Sequence, residues 1–141
     1  MIQKDAPKVK ENKNIKNVIA VMSGKGGVGK STVTTLLAKE LRKKGYKVGV
    51  MDADVTGPSI PRLMGVNEQK MTTDGINMYP VVTKDGIEIV SINLMIDEKE
   101  PVVWRGPVIA GAVMQFWNEV VWGDLDYLLI DMPPGTGDVP L

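Results

Sequence analysis

Neither cysteine nor histidine occurs among the 141 residues. Their absence excludes disulfides, zinc sites of the Cys/His kind, cysteine nucleophiles and histidine-based triads, and leaves no thiolate to hold an iron-sulfur cluster. Net charge is missing as well, because 17 Lys and Arg balance 17 Asp and Glu. No global field of one sign draws the chain to nucleic acid or to a membrane, so phosphate recognition has to be local. Long hydrophobic runs are also lacking: residues 18–22 and 127–130 are far shorter than the roughly 20 residues that cross a bilayer. The N-terminus carries no apolar signal segment. These absences point to a soluble, cytoplasmic protein with neither membrane nor nucleic-acid partners.

What is present suffices for one domain, with 43% apolar residues over a single-domain length. Residues 1–16 set Lys4, Lys8, Lys10, Lys13 and Lys16 against Asp5 and Glu11 with little to bury. They read as a disordered basic tail, or alternatively as a basic arm for an acidic partner. Residues 17–141 then form the domain. Residues 18–22 are an apolar run ending in glycines, the pattern of a strand buried on both faces. Val33, Leu36, Leu37 and Leu41 recur at helical spacing before Arg42, Lys43, Lys44 and Gly45, which predicts an amphipathic helix with a glycine cap. A second strand over 47–51 completes a strand-helix-strand unit.

Farther on, a short helix is expected from 58 or 59 to 64, with Pro58 in its first turn, and a loop over 67–75. Two extended runs, 76–83 and 87–92, flank Lys84-Asp85-Gly86 and predict a hairpin. Gly106-Pro107 opens a helix with Val108, Ile109, Ala112, Val113, Phe116, Trp117, Val120 and Val121 along one broad face. Residues 127–131 are a buried strand ending in Asp131, followed by a Pro- and Gly-rich stretch. The fold class is α/β, with a mostly parallel central sheet flanked by helices.

The strongest motif is Gly24-Lys25-Gly26-Gly27-Val28-Gly29-Lys30-Ser31, which satisfies G-x-x-x-x-G-K-[ST] between a predicted strand and a predicted helix. Glycines let backbone N–H groups wrap phosphate oxygens, and the helix N-terminus adds positive potential. Lys30 supplies a point charge for the β/γ-phosphates and Ser31 a hydroxyl for Mg²⁺. The competing reading is a glycine-rich connecting turn. Asp52 and Asp54 follow the second strand, where open α/β sheets place ligands, and acids there can hold Mg²⁺ or orient water. Asp54 could otherwise cap the next helix. Asp131 reads as the acid that accepts from the metal shell or from Ser31, or as a turn cap. Pro133, Pro134, Gly135 and Gly137 are suited to a switch loop that reports the γ-phosphate.

Residues 24–32, from Gly24 to Thr32, resemble the deviant phosphate loop K-G-G-x-G-K-[ST] of the MinD/ParA/Mrp ATPases. The resemblance implies a SIMIBI-type P-loop NTPase in which Lys25 reaches across a homodimer to the partner's phosphates. It also aligns Asp54 with the acid of water activation and metal contact, which makes Lys25, Lys30 and Asp54 the catalytic candidates.

Residues 52–61, Trp104-Arg105-Gly106-Pro107 and residues 131–138 together resemble the Mrp (ApbC-like) branch, the carriers of iron-sulfur clusters. That implies ATP and Mg²⁺ as ligands, a [4Fe-4S] cluster as cargo and iron-sulfur apoproteins as recipients. The chain departs from the family in having no C-x-x-C pair, and it stops shortly after the Asp131 strand, as a fragment of a longer protein or, less in keeping with the resemblance, a shortened relative with an incomplete nucleotide site would. Trp104 reads as a core or interface aromatic and Gly106-Pro107 as a helix start, whereas Arg105 could answer a carboxylate or phosphate across the dimer. Two other functions fit the same motifs: a MinD/ParA-like positioning ATPase, and a regulatory scaffold that binds ATP without hydrolysing it.

Overall fold

The computed structural model describes residues 14–22, 29–54, 59–74, 77–95 and 106–133, without the side chains of 93, 95, 106–110 and 112. Seven strands and four helices follow one another within these residues: β1 (Ile15–Val21), α1 (Lys30–Lys43), β2 (Val48–Asp52), α2 (Ile60–Leu63), β3 (Thr72–Thr73), β4 (Met78–Tyr79), β5 (Val81–Val82), β6 (Glu88–Ser91), α3 (Ile92–Met95), α4 (Gly106–Glu119) and β7 (Leu125–Asp131).

The main sheet has the order β1-β7-β2-β6-β5. Its first four strands run parallel, and β5 pairs antiparallel with β6. The α/β class and the mostly parallel sheet read from the sequence are therefore present. The last described strand, β7, lies between the first two, so both neighbours of Asp131 are residues far from it along the chain.

Alternation along β2 and β7 divides the core into two. Met51, Ala53, Leu128, Ile130 and Met132 pack with Phe116 and Val120 on the α4 side. Val48, Val50 and Leu129 pack with Ala38 of α1 and Ile60 of α2 on the other. This period-two division places Asp52 and Asp131 on the α1 side, where the site is built.

Several sequence expectations are corrected. β1 starts at Ile15, inside the stretch read as a tail, because Ile15 pairs with Leu125; residues 1–13 lie outside the described residues. Nor is β1 buried on both faces: among the described residues it pairs only with β7, and Val18, like Met22 just past its end, is 47% exposed. Burial there depends on a second neighbour, which an apolar run cannot reveal.

The buried face of α1 is also rotated from the aliphatic stripe. Val33 and Leu36 are 56% and 61% exposed, and Lys30, Ser31, Thr34, Thr35 and Ala38 are buried instead. The expected cap holds, since Gly45 has φ 96° and donates to the Arg42 carbonyl.

The proline in the first turn of α2 is Pro61, with Ser59 as N-cap accepting from the Arg62 N–H at 3.4 Å. Pro58 lies outside the described residues. The stretch expected as a loop contains β3, which pairs antiparallel with β4. The hairpin turn around Asp85-Gly86 is present, with Gly86 at φ 90°. On α4, Phe116 and Val120 are buried as expected, whereas Val121 is 44% exposed beyond the helix end.

Candidate functional site

Across the carboxyl ends of the parallel strands, one register row reads Val21, Asp131, Asp52, Ser91. α1 begins beside this row. Its N-cap is Gly29 at φ 83°, a left-handed conformation that favours glycine, and the Val33 N–H donates to the Gly29 carbonyl at 2.8 Å. The first turn thus carries Lys30 and Ser31 directly against the ends of β7 and β2.

Lys30 is the centre. Its Nζ donates to Asp131 Oδ1 at 2.5 Å and lies 3.2 Å from Asp54 Oδ2. The three side chains are buried, with exposures of 2%, 0% and 3% respectively. Asp131 also accepts from Ser31 Oγ through Oδ2 at 2.8 Å, and Thr34 Oγ1 lies 3.1 Å from Oδ1. Thr34 shares that hydroxyl with the Lys30 carbonyl at 3.0 Å, and Thr35 donates to the Ser31 carbonyl at 2.9 Å. A carboxylate at a strand end thus holds the first turn of the helix, and each buried charge has its hydrogen-bond partners.

Asp52 is used differently from Asp54. Its Oδ1 accepts from the Asp54 N–H at 3.1 Å, and its Oδ2 accepts from the Ile60 N–H at 3.3 Å and from Ser91 Oγ at 2.9 Å. The first bond closes an Asx turn, which folds the chain back and brings the Asp54 carboxylate to Lys30.

Among the described residues, the Lys30 ammonium lies between the Asp54 and Asp131 carboxylates. The donors here are hard oxygens of the kind Mg²⁺ prefers. Among the described residues no group of three or more His, Cys, Asp or Glu is arranged to hold a metal alone. A divalent ion therefore needs the Ser31 hydroxyl and phosphate oxygens besides the carboxylates. Ser31, Asp54 and Asp131 fit that chemistry.

Of the residues singled out from sequence, Gly29, Lys30, Ser31, Asp54 and Asp131 meet in one place, and Thr32 is exposed on the first turn of α1. Gly24, Lys25, Gly26, Gly27 and Val28 lie outside the described residues, as do Trp104, Arg105, Pro134, Gly135 and Gly137. Thr34, Thr35 and Ser91 are additions that motif reading missed. The two threonines stand four residues beyond Lys30 and Ser31, so helical spacing would have found them once Asp131 was placed. Ser91 has no local signal, because only strand register brings it to Asp52.

Comparison with known proteins shows the family and the fold. The family model for ParA, described as NUBPL iron-transfer P-loop NTPase, matches residues 14–141. An iron-sulfur cluster carrier protein of Clostridium perfringens is 56% identical over 136 residues, covering 91% of this chain and 48% of the relative. One from Methanocaldococcus jannaschii is 54% identical over an alignment covering 100% of this chain and 49% of its own length. The chain thus spans about half the length of these curated relatives. Among solved structures, a nucleotide-binding protein from Archaeoglobus fulgidus in complex with ADP superposes with a TM-score of 0.75 at 50% identity, over 90% of this chain and 48% of that one.

Proposed function

The chain belongs to the ParA family of NUBPL-type iron-transfer P-loop NTPases, and from that premise we propose that it binds ATP with Mg²⁺, hydrolyses it slowly, and serves iron-sulfur cluster carriage. The observation that carries this reading is the buried Lys30 between Asp54 and Asp131 at the start of α1, with Ser31 on the same carboxylate.

In this reading Lys30 would meet the β/γ-phosphate oxygens as the lysine of the glycine-rich motif, and Ser31, Asp54 and Asp131 would hold Mg²⁺. When bound, the ion supplies charge neutralisation at the phosphates. Asp54 orients the attacking water, and Lys25 serves the phosphates of a second copy in a homodimer. The chain has no histidine, so catalysis rests on positioning and electrostatics, which is consistent with slow turnover.

The cluster itself does not fit the residues present. A [4Fe-4S] cargo needs thiolates, and the sequence contains no cysteine. Its ligands therefore come from outside these residues, and the half of the relatives that the chain does not match has room for them. Recipients in this reading are iron-sulfur apoproteins in the cytoplasm. No helix among the described residues is long and apolar enough to cross a membrane.

The test is titration of the chain with a fluorescent ATP analogue, with and without Mg²⁺, alongside phosphate release. Saturable Mg²⁺-dependent binding that Lys30→Ala weakens at least about tenfold, with measurable release, is expected. Binding without any release would favour the regulatory scaffold, and no binding at all would overturn the nucleotide assignment.

A further inference from the structure

Two acids spaced i, i+2 at the end of β2 have separate tasks, and the second acts on the site only because of the first. We propose that Asp52 and Ser91 form a positioning pair that sets the Asp54 carboxylate against Lys30, so the carboxyl end of β6 governs alignment of the phosphate site. The inference rests on the reading of that site as one for Mg²⁺-ATP.

Asp52 is fully buried, and its two oxygens hold both flanks of the segment that follows β2. Oδ1 takes the N–H of Asp54 at 3.1 Å and Oδ2 the N–H of Ile60 at 3.3 Å, eight residues along the chain from Asp52. One side chain therefore fixes where the segment leaves the sheet and where α2 begins.

Asp54 Oδ2 then lies 3.2 Å from Lys30 Nζ. Any rotation of the Asp52 carboxylate moves the Asp54 N–H, and with it the carboxylate that touches Lys30. Ser91 sets that rotation. It stands opposite Asp52 in the parallel register of β2 and β6, is fully buried, and donates its hydroxyl to Oδ2 at 2.9 Å.

The line of contact runs from Ser91 through Asp52 and the Asp54 backbone to Lys30. In this arrangement Asp52 and Ser91 act on Lys30 through Asp54. A buried carboxylate is also a costly way to fasten a loop, because ionic groups lose their hydration on burial. Its use here is accounted for by geometry: a carboxylate can accept at both oxygens from two backbone groups and a hydroxyl at once, which a neutral amide cannot do.

The experiment compares Ser91→Ala, Ser91→Thr, Asp54→Ala and the double variant Ser91→Ala/Asp54→Ala. Turnover, KM for ATP and the Mg²⁺ concentration for half-maximal ATP binding are measured in each. Ser91→Ala is expected to lower kcat about 5–10-fold with KM within about twofold, and Ser91→Thr to restore most of it. In the Asp54→Ala background Ser91→Ala should change neither kcat nor the Mg²⁺ requirement.

An equal loss with and without Asp54, or a loss carried by KM, overturns the pairing. Failure of the underlying reading looks different: a wild-type chain that binds Mg²⁺-ATP yet releases no phosphate. The pair is then judged by the Mg²⁺ requirement, which Ser91→Ala must raise only while Asp54 is present.

Discussion

Lys30 Nζ and Asp131 Oδ1 lie 2.5 Å apart, although 101 residues separate them along the chain. The contact exists because β7 inserts between β1 and β2, which sets the end of the last described strand beside the first turn of α1. Asp131 accepts there from three side chains, those of Lys30, Ser31 and Thr34.

Removing the ammonium should therefore be costly even without nucleotide. Lys30→Met removes the ammonium from between two buried carboxylates, and losing one partner of a buried ion pair costs about 3–5 kcal/mol. Urea unfolding should show that loss as a lower midpoint with an unchanged slope. A loss under about 1 kcal/mol would mean that the three groups are solvated.

Thr34 tests the part of the site that motif reading did not anticipate. Thr34→Val keeps the shape of this fully buried side chain and removes the hydroxyl near Asp131 Oδ1. A cost of about 1–2 kcal/mol in chemical denaturation is expected, together with a few-fold weaker Mg²⁺-ATP affinity. Unchanged affinity would assign the hydroxyl to the Lys30 carbonyl alone.

Gly49 is a packing requirement remote from the site. A Cβ there would lie 2.7 Å from Leu125 Cδ1 and 3.0 Å from Trp122 Cζ3. Gly49→Ala should destabilise by about 1–3 kcal/mol through overpacking while KM for ATP stays the same in the folded fraction. A shift in KM instead would show that β2 transmits strain to Asp52.

Asp126 provides the pH test at the opposite end of the sheet. Its carboxyl is held below the ordinary 3.8, chiefly because its Oδ2 accepts the Lys47 backbone N–H at 2.8 Å, with Lys16 close by. A depressed folded-state value means that the group stabilises the fold above its unfolded pKa and loses this contribution as pH falls through the folded value. Thermal melts should therefore show stability declining from about pH 4 downward, and Asp126→Asn should flatten that decline. A variant with the same acid limb as wild type would remove Asp126 from the account.

The predictions differ in where their information lies. The Gly45 cap, the Gly86 turn and the strand leading to Asp131 were all legible, because each depends on residues close together in sequence. Burial was less so. The aliphatic stripe of α1 suggested that Val33 and Leu36 face the core, yet the helix turns Thr34 toward Asp131, Thr35 toward the Ser31 carbonyl and Ala38 onto Val48, Val50 and Leu129. The apolar run in β1 likewise could not say that, among the described residues, only β7 lies beside it.

The sequence by itself determined the chemistry available: one glycine-flanked lysine and serine, acids at two strand ends, and neither thiol nor imidazole. Tertiary structure decided how these groups divide the work. Whether an acid grips Lys30, as Asp54 and Asp131 do, or fastens the backbone behind it, as Asp52 does with Ser91, depends on strand order and register. Those are long-range properties, fixed by packing both faces of the sheet at once, and no local run of residues encodes them.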